Sequence, residues 1–162
     1  MDNKKALLKV YLCIPYSGME ESSYLQANLG TVAVLENGHN VYSPITHSHP
    51  LTKLTENKLP GNWEFWSAID YQFIDWADEL WVLIPTEGEE RVLNSTGVQA
   101  EIKYAIEKGK SVKYMKQVNK AYAVNSDITF GRRLHNDVVT GEDLLKTTFI
   151  GRSPLTKEQL LK

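Results

Sequence analysis

Apolar runs separated by helical stripes occupy the first two thirds of the chain. Segments 7–15 (LLKVYLCIP) and 79–85 (ELWVLIP) are nearly continuous apolar runs, which indicate strands buried on both faces of a parallel sheet. Shorter runs at 39–43 (HNVYS) and 111–115 (SVKYM) predict two further strands. Because helical patterns lie between these runs, the sequence predicts crossover connections and not hairpins.

Three helices are predicted between the strands, at 19–36, 62–77 and 97–108. The first has one apolar face, made of Leu25, Leu29, Val32 and Leu35. The second begins with Asn62 as a possible N-cap, and its apolar stripe is Phe65, Ile69, Phe73 and Trp76. The order of elements predicts an α/β fold: a doubly wound, flavodoxin-like parallel sheet of about five strands with helices on both faces.

Two polar segments interrupt this pattern. Residues 44–61 are predicted to form a long loop, of the kind that often closes over a functional site, and residues 86–96 form a second polar loop. Beyond Lys116 the pattern weakens, and we predict a short strand at 128–130 and helices at 143–146 and 156–161. We expect one domain over 1–162, with a core at 1–116 and a C-terminal extension at 117–162.

Composition narrows the possible partners. A length of 162 residues fits one domain, and a formal net charge of -2 predicts no general attraction to nucleic acid or acidic lipid. The single cysteine, Cys13, excludes a disulfide within the chain and fits a reducing compartment. The first apolar run is too short for a signal peptide, and no run reaches the roughly 20 apolar residues of a membrane span. We therefore expect a cytoplasmic protein with a small-molecule partner, without nucleic acid or membrane.

Segment 95–101 (STGVQAE) carries the most distinctive candidate, Glu101. Loops at the carboxyl ends of parallel strands form the ligand site in such sheets, and this segment enters a helix directly after one of them. Glu101 is predicted at the edge of the inward stripe, where an acid costs free energy unless it is paired or faces a cavity. The amides of Ser95 and Gly97 are suited to a small anion or a sugar hydroxyl. The alternative is a solvated glutamate that complements the helix dipole.

Two further candidates are Asp70 and Tyr11. Asp70 is predicted one position beside the core line through Ile69 and Phe73, so it points either into the site or into water. Tyr11 lies within the first strand and is either a packed core residue or a hydroxyl group beside a carboxylate. The turn after this strand offers Tyr16, Ser17 and Gly18 for ligand contact.

The remaining candidates are aromatic. His47 and His49 (THSHP) give only a weak metal signal, because spacing places no third ligand, so we expect no metal and no cofactor. They are candidates for contact with a base or sugar, or members of a plain loop. Trp63 and Trp66 open a helix after the long loop and either stack on an aromatic base or pack in the core. Trp76 and Trp81 are predicted to be core residues.

From about Val10 to Met115 the chain resembles the nucleoside 2-deoxyribosyltransferase superfamily, within it the small phage and bacterial branch of deoxyribosyltransferase-like proteins. The resemblance rests on the strand VYLCIPYSG with its tyrosine, on Asp70 followed after six intervening residues by Ala77-Asp78, and on an S-x-G-x-x-x-E pattern. That pattern consists here of Ser95, Gly97 and Glu101, and a helix that ends in Gly-Lys follows it.

The resemblance implies a retaining double displacement at the N-glycosidic bond. Glu101 would attack the sugar carbon, Asp70 would give a proton to the leaving base, and Tyr11 would position the nucleophile. Ser95 would contact the 5′ side of the sugar. The family also implies a homo-oligomer, in which Arg132, Arg133 or His135 would serve the neighbouring subunit's site.

The sequence also departs from the family. Relatives that hydrolyse nucleotides carry an arginine in the first loop for the 5′-phosphate, whereas this loop, PYSGMEESS, has none. This weakens the interpretation as a nucleoside 5′-monophosphate N-glycosidase, but Ser17, Ser22 and Ser95 could still donate to a phosphate, so it stays an alternative to a nucleoside enzyme. A second alternative is a non-catalytic nucleotide-binding or sensor module on the same fold.

Overall fold

A six-stranded sheet forms the centre of the computed structural model, which describes residues 7–54, 59–118, 121–128 and 141–150. Its strands are β1 (Lys9–Cys13), β2 (Asn40–Tyr42), β3 (Glu79–Leu83), β4 (Ser111–Val118), β5 (Ala121–Asn125) and β6 (Thr148–Ile150). The helices are α1 (Glu20–Glu36), α2 (Pro44–Leu54), α3 (Trp63–Trp76), α4 (Glu89–Leu93), α5 (Thr96–Glu107) and α6 (Gly141–Lys146). No helix in the described part of the chain is long and apolar enough to cross a membrane.

The strand order is β2-β1-β3-β4-β5-β6. The first four strands are parallel, with Tyr11 of β1 opposite Tyr42 on one side and Leu80 on the other. This confirms the predicted doubly wound, flavodoxin-like α/β fold. The last two strands pair antiparallel, β5 with β4 and β6 with β5, so the sheet is mixed and not wholly parallel as predicted.

Each face of the sheet packs against its own helices. Side chains of β1 alternate between the two faces, because successive residues of a strand point to opposite sides. Val10 and Leu12 join the apolar cluster beneath α1, whereas Tyr11 and Cys13 join the cluster beneath α3 and α5. The face of the sheet with Tyr11 and Cys13 is therefore the one that α3 and α5 cover.

The apolar face predicted for α1 points outward. Leu25 is 60% exposed and Leu29 is 50% exposed, while the buried face is made mostly of small residues. Gly30 explains this orientation, because a Cβ atom at that position would lie 3.0 Å from Leu83 Cδ2 and 3.0 Å from Met115 Cε. Small residues let α1 lie close to the sheet, and this close contact sets which face is buried.

Helix α2 replaces the first eleven residues of the long loop predicted at 44–61. Pro44 stands at its first position, where a proline suits a helix, but Pro50 lies inside it and removes one backbone hydrogen bond. Contacts with α1, including a hydrogen bond from Thr46 Oγ1 to Asn28 Oδ1 of 2.9 Å, support this helix. The second predicted loop, 86–96, likewise contains the short helix α4.

The C-terminal extension supplies two strands that were not predicted. All five residues of β5 are buried, and Asn125 Nδ2 donates to Thr147 Oγ1 just before β6. The helix predicted at 143–146 is confirmed by α6. Most of the strand predicted at 128–130 and all of the helix predicted at 156–161 lie outside the described residues.

The orientation of α1 predicts unequal effects for two valines on the same helix. Val34 is 0% exposed and Val32 is 51% exposed. Val34→Ala should lower the free energy of unfolding by about 1–3 kcal/mol, because it leaves a cavity in the core. Val32→Ala, the matched control, should change it by less than about 0.5 kcal/mol. Denaturant unfolding of both variants measures this, and equal losses would contradict the orientation.

Candidate functional site

A cavity of about 470 Å³ opens at the carboxyl ends of β1 and β2. Its wall consists of the turn after β1, α2, the first two turns of α3, and the segment from α4 into α5. Strand order reverses between β1 and β3, and ligands bind at such a switch point in open α/β sheets. The topology therefore places the cavity where a ligand is expected.

Glu101 lies at the base of this cavity and is only 4% exposed. It shares the buried side of α5 with Val98 and Ala105, so it lies on the core-facing line and not at its edge as predicted. The Tyr11 hydroxyl donates to Glu101 Oε1 at 2.7 Å. Cys13 is buried on the same side of β1 and helps to stabilise the ionised carboxyl group. A hydrogen bond from β1 therefore holds the carboxyl group of Glu101 in place.

Asp70 lines the same cavity and is 5% exposed. With Ile74 it forms the buried side of α3, whereas the predicted stripe through Ile69 and Phe73 is only half-buried. The predicted N-cap fixes this helix, since Asn62 Oδ1 accepts a hydrogen bond from Phe65 N at 3.0 Å. Among the described residues, no side chain or amide donates a hydrogen bond to the Asp70 carboxyl group.

Burial controls the protonation of both acids. Desolvation raises the pKa of Asp70 to about 7. Desolvation also raises the pKa of Glu101 to about 8, with a further increase from the negative charge of Asp70, while the hydrogen bond from Tyr11 and the neighbouring Cys13 thiol act in the opposite direction. Burial raises the pKa of Tyr11 well above its ordinary value, so its hydroxyl group stays a donor. Near neutral pH both carboxyl groups are therefore partly protonated, and the charge of Asp70 makes Glu101 harder to ionise.

Ser95 and Gly97 shape the entrance to α5. Ser95 is the N-cap, with its Oγ accepting from Val98 N at 3.3 Å, and it lines the cavity. Gly97 faces the indole of Trp63, which would lie 3.5 Å from a Cβ atom at that position. The cap fixes the first turn of α5, and this turn determines where Glu101 points.

Most predicted ligand contacts are brought together. Besides Glu101 and Asp70, the cavity wall includes the predicted residues Tyr16, Ser17, Trp63, Trp66, Ser95 and Gly97. Tyr11 reaches the site only through Glu101. Gly18 does not line the cavity; its amide donates to Glu20 Oε1 at 3.0 Å.

The two histidines do not line the cavity either. His49 is buried between α1 and α2, with Nδ1 at 2.8 Å from the Tyr16 hydroxyl. His47 is exposed, and its Nδ1 lies 3.2 Å from the Tyr42 hydroxyl. In the described ranges, no group of three or more His, Cys, Asp and Glu side chains could hold a metal ion.

Two of the four tryptophans were predicted to be core residues. Trp81 is 3% exposed, and its Nε1 donates to Glu79 Oε2 at 2.7 Å, which confirms the prediction. Trp76 is 38% exposed beside Lys9, whose Nζ lies 5.7 Å from the ring centre, so the prediction is wrong for Trp76. The end of α3 reaches the surface there.

Sequence reasoning missed Arg91 and Asn94, which line the cavity beside Ser95. Arg91 is the only basic side chain on the described cavity wall, and it forms no ion pair with a described carboxylate. No periodic signal marked Arg91, because α4 has only five residues and Asn94 and Ser95 lie beyond its end. The segment 86–96 was therefore predicted as a loop. The arginines expected to act in trans, Arg132 and Arg133, and His135 lie outside the described residues.

A family model described as "Domain of unknown function (DUF1937)" matches residues 8–117. The chain belongs to this family. The matched range includes β1 to β4 and every residue of the cavity wall. A comparison with curated proteins found no match. Since the family description names no activity, the link to the deoxyribosyltransferases remains a proposal.

The buried acid pair should make stability fall as pH rises. The folded state holds the proton of Glu101 up to a pKa of about 8, against an ordinary value of 4.5, so it binds more protons than the unfolded chain between those values. The free energy of unfolding therefore falls with pH through this window. Glu101→Gln should flatten the fall and raise stability above about pH 8 by roughly 2 kcal/mol or more.

Thermal unfolding at about pH 5 and about pH 9 tests this effect. Glu107→Gln is the matched control, because Glu107 is an exposed acid on the same helix. A wild-type protein whose stability rises through this window, or a Glu101→Gln variant with the wild-type slope, would show that Glu101 does not hold its proton as described.

Proposed function

We propose that the protein cleaves or transfers at the N-glycosidic bond of a nucleoside or deoxynucleoside, through a glycosyl-Glu101 intermediate. The observation that carries the proposal is the pair of buried carboxyl groups, Glu101 and Asp70, facing one cavity with raised pKa values. Paired titratable groups in a cleft are candidates for nucleophile and general acid.

The proposed roles require Glu101 ionised and Asp70 protonated. The Tyr11 hydroxyl donates to Glu101, which stabilises the ionised, nucleophilic form. Asp70 is buried without a described donor, which favours its neutral form and suits it to be the proton donor. Burial still leaves the pKa of Glu101, about 8, above that of Asp70, about 7, so near neutral pH the form with Glu101 ionised and Asp70 protonated is the less populated one, and the reaction starts from it. The hydrogen bond from Tyr11, together with the resemblance, supports Glu101 as nucleophile and Asp70 as acid.

The proposed reaction has two displacements. A Glu101 oxygen forms a bond to the anomeric carbon while the bond between that carbon and the base nitrogen breaks. The electron pair of the broken bond passes to the base nitrogen, which takes the proton of Asp70. A second base or a water molecule then attacks the same carbon and releases Glu101. Asp70, now ionised, accepts the proton of that nucleophile, which restores both acids.

The cavity has the size and lining for such a ligand. Its volume of about 470 Å³ lies within the range of small-molecule pockets, roughly 300–1,000 Å³. Trp63 and Trp66 lie on its wall and offer aromatic surface to a base. Ser17, Asn94 and Ser95 offer hydrogen-bonding groups to a sugar.

Loss of Glu101 should abolish turnover. We expect Glu101→Gln to lower kcat/KM for base release by on the order of 10³-fold or more, since it removes the nucleophile. Chromatography of deoxynucleosides incubated with an acceptor base measures this. Asp70→Asn should cost about 10²-fold or more, while Glu107→Gln should stay at the wild-type rate. Equal base release by wild type and Glu101→Gln would overturn the proposal.

Tyr11 should tune the pH at which Glu101 becomes a nucleophile. Tyr11→Phe removes a donor that lowers the pKa of Glu101, so the acid limb of the kcat/KM profile should move to higher pH. Tyr42→Phe is the matched control, because Tyr42 lies opposite Tyr11 in β2 and its hydroxyl contacts His47 outside the cavity. If Tyr11→Phe lowered kcat/KM equally at every pH and left the acid limb at the same pH, Tyr11 would have a structural role only.

Arg91 favours a second candidate, a nucleoside 5′-monophosphate N-glycosidase. The first loop lacks an arginine, but α4 brings one to the same cavity beside Asn94 and Ser95. A guanidinium group binds phosphate through paired hydrogen bonds. The phosphate contact proposed for this alternative therefore comes from a different element.

Arg91→Gln separates the two candidates. For a monophosphate enzyme it should raise KM for nucleoside 5′-monophosphates by about tenfold or more and leave KM for nucleosides unchanged. Lys103→Gln, an exposed cation on α5 away from the cavity wall, is the control. Steady-state kinetics on both substrate classes decides this, and an equal effect on phosphorylated and plain nucleosides would rule out phosphate binding by Arg91.

A further inference from the structure

Three side chains connect the cavity to the protein surface through α1 and α2. Tyr16 lines the cavity, and its hydroxyl oxygen lies 2.8 Å from His49 Nδ1. On the other side of the ring, His49 Nε2 lies 3.4 Å from Glu21 Oε1. The His49 side chain is 3% exposed and that of Glu21 is 72% exposed. This Glu21–His49–Tyr16 array therefore runs from solvent, through a buried imidazole, to the cavity wall.

Two aromatic rings fix the orientation of the imidazole. Tyr24 stacks on it with ring centres 4.4 Å apart and planes at 20°, while Tyr16 meets it edge-on at 5.7 Å and 83°. Nε2 is buried and makes no hydrogen bond of normal geometry to a described residue, so the Glu21 carboxylate at 3.4 Å is its polar neighbour. Because the ring is held in place, Nδ1 keeps facing Tyr16 and Nε2 keeps facing Glu21.

The charges around His49 decide where its proton lies when it is neutral. The charged and titratable groups that face it are Glu20, Glu21 and Tyr24 of α1, Lys53 of α2, and Tyr16 after β1. The hydrogen bond from Lys53 lowers the pKa of Glu21, which therefore stays ionised and accepts only. The proton of a neutral His49 thus belongs on Nε2, opposite Glu21, and Nδ1 carries a lone pair.

This assignment fixes the polarity of Tyr16. Burial, with the charges of Glu20 and Glu21, raises the pKa of Tyr16, so the phenol keeps its one hydrogen. That hydrogen is donated to Nδ1 of the neutral ring, so the oxygen of Tyr16, a residue of the cavity wall, has only lone pairs left for a ligand. A second proton on His49 reverses the bond, because Nδ1–H then donates to the Tyr16 oxygen and leaves the phenol hydrogen free for a ligand.

We propose that Tyr16 is a specificity-determining residue and His49 its positioning residue: with neutral His49, Tyr16 accepts a hydrogen bond from a ligand N–H or O–H group, and with protonated His49 it donates one. The inference rests on the proposed function only for the nature of the ligand. It adds that the cavity selects ligands by a donor group near the turn after β1, and that a residue outside the cavity controls this selection.

The coupling of Tyr16 to His49 is testable without any ligand. NMR of the protein with ¹³C at tyrosine Cζ and histidine Cε1 should show the Tyr16 signal moving with pH along the same curve as the His49 signal. In His49→Gln this movement should vanish, because the amide cannot gain a proton. His47→Gln is the matched control and should keep it, since His47 lies two residues away on the same helix but contacts Tyr42.

A Tyr16 signal that stays flat while His49 titrates, or that moves unchanged in His49→Gln, overturns the inference. Should His49→Gln fail to fold, Glu21→Gln replaces it, because Glu21 is exposed and not part of the core. Loss of the Glu21 charge should move the pH dependence of the Tyr16 and His49 signals to lower pH, because an opposite charge nearby stabilises the protonated imidazole. An unchanged pH dependence in Glu21→Gln would contradict the Glu21–His49–Tyr16 array.

Ligand binding then tests the consequence for the cavity. In a Glu101→Gln background, which keeps the probe intact, the Kd of 2′-deoxyadenosine from tryptophan fluorescence should differ by about fivefold between the pH at which the Tyr16 NMR signal is at its acid limit and the pH at which it is at its alkaline limit, the effect of one hydrogen bond. The double variant with His49→Gln should lose this change, and the one with His47→Gln should keep it. If the Kd depends on pH in the same way with and without His49, the role of His49 is contradicted but the proposed function is not. Absence of nucleoside binding at every pH contradicts the proposed function, and the NMR result still decides the coupling.

Discussion

The carboxyl group of Glu101 is buried between α5 and the sheet, where the Tyr11 hydroxyl donates to it at 2.7 Å. Burying an acid costs free energy unless hydrogen bonds or protonation offset it, and here both do so. Tyr11 and Cys13 lie on the same side of β1, so one short strand supplies the donor and its buried neighbour. This contact joins α5 to β1 at the base of the cavity.

The two faces of the sheet contribute differently to the site. The α3 and α5 side supplies the acids, on helices whose N-caps, Asn62 and Ser95, set the first turns. The α1 and α2 side supplies a wall whose polar interior leads from Glu21 through His49 to Tyr16. Small residues such as Gly30 allow α1 to pack closely against the sheet, and α2 packs against α1. The result is a cavity with acids at its base and a titratable array behind its wall.

Several features of the site followed from pattern, and others did not. Asp70 and Glu101 were found as acids beside apolar stripes. The stripe of α3 was shifted by one position, because half-buried aromatic residues such as Phe73 count as core in a hydrophobic pattern. In α5 the buried line includes Glu101 itself, between Val98 and Ala105. Arg91 was missed because its helix has only five residues, too short for periodicity to show. His49 was assigned to a loop because Pro50 and several polar residues conceal α2, which depends on packing against α1.

The sequence by itself determined the strands β1 to β4, the three long helices between them and therefore the doubly wound fold, because continuous apolar runs and helical spacing are local properties of the chain. It also indicated the two acids. Only the tertiary structure decided which face of α1 is buried, that β5 and β6 extend the sheet antiparallel, and that the two acids share one cavity with Arg91. These features depend on contacts between residues far apart in the chain, such as Tyr11 with Glu101, and no local pattern encodes them.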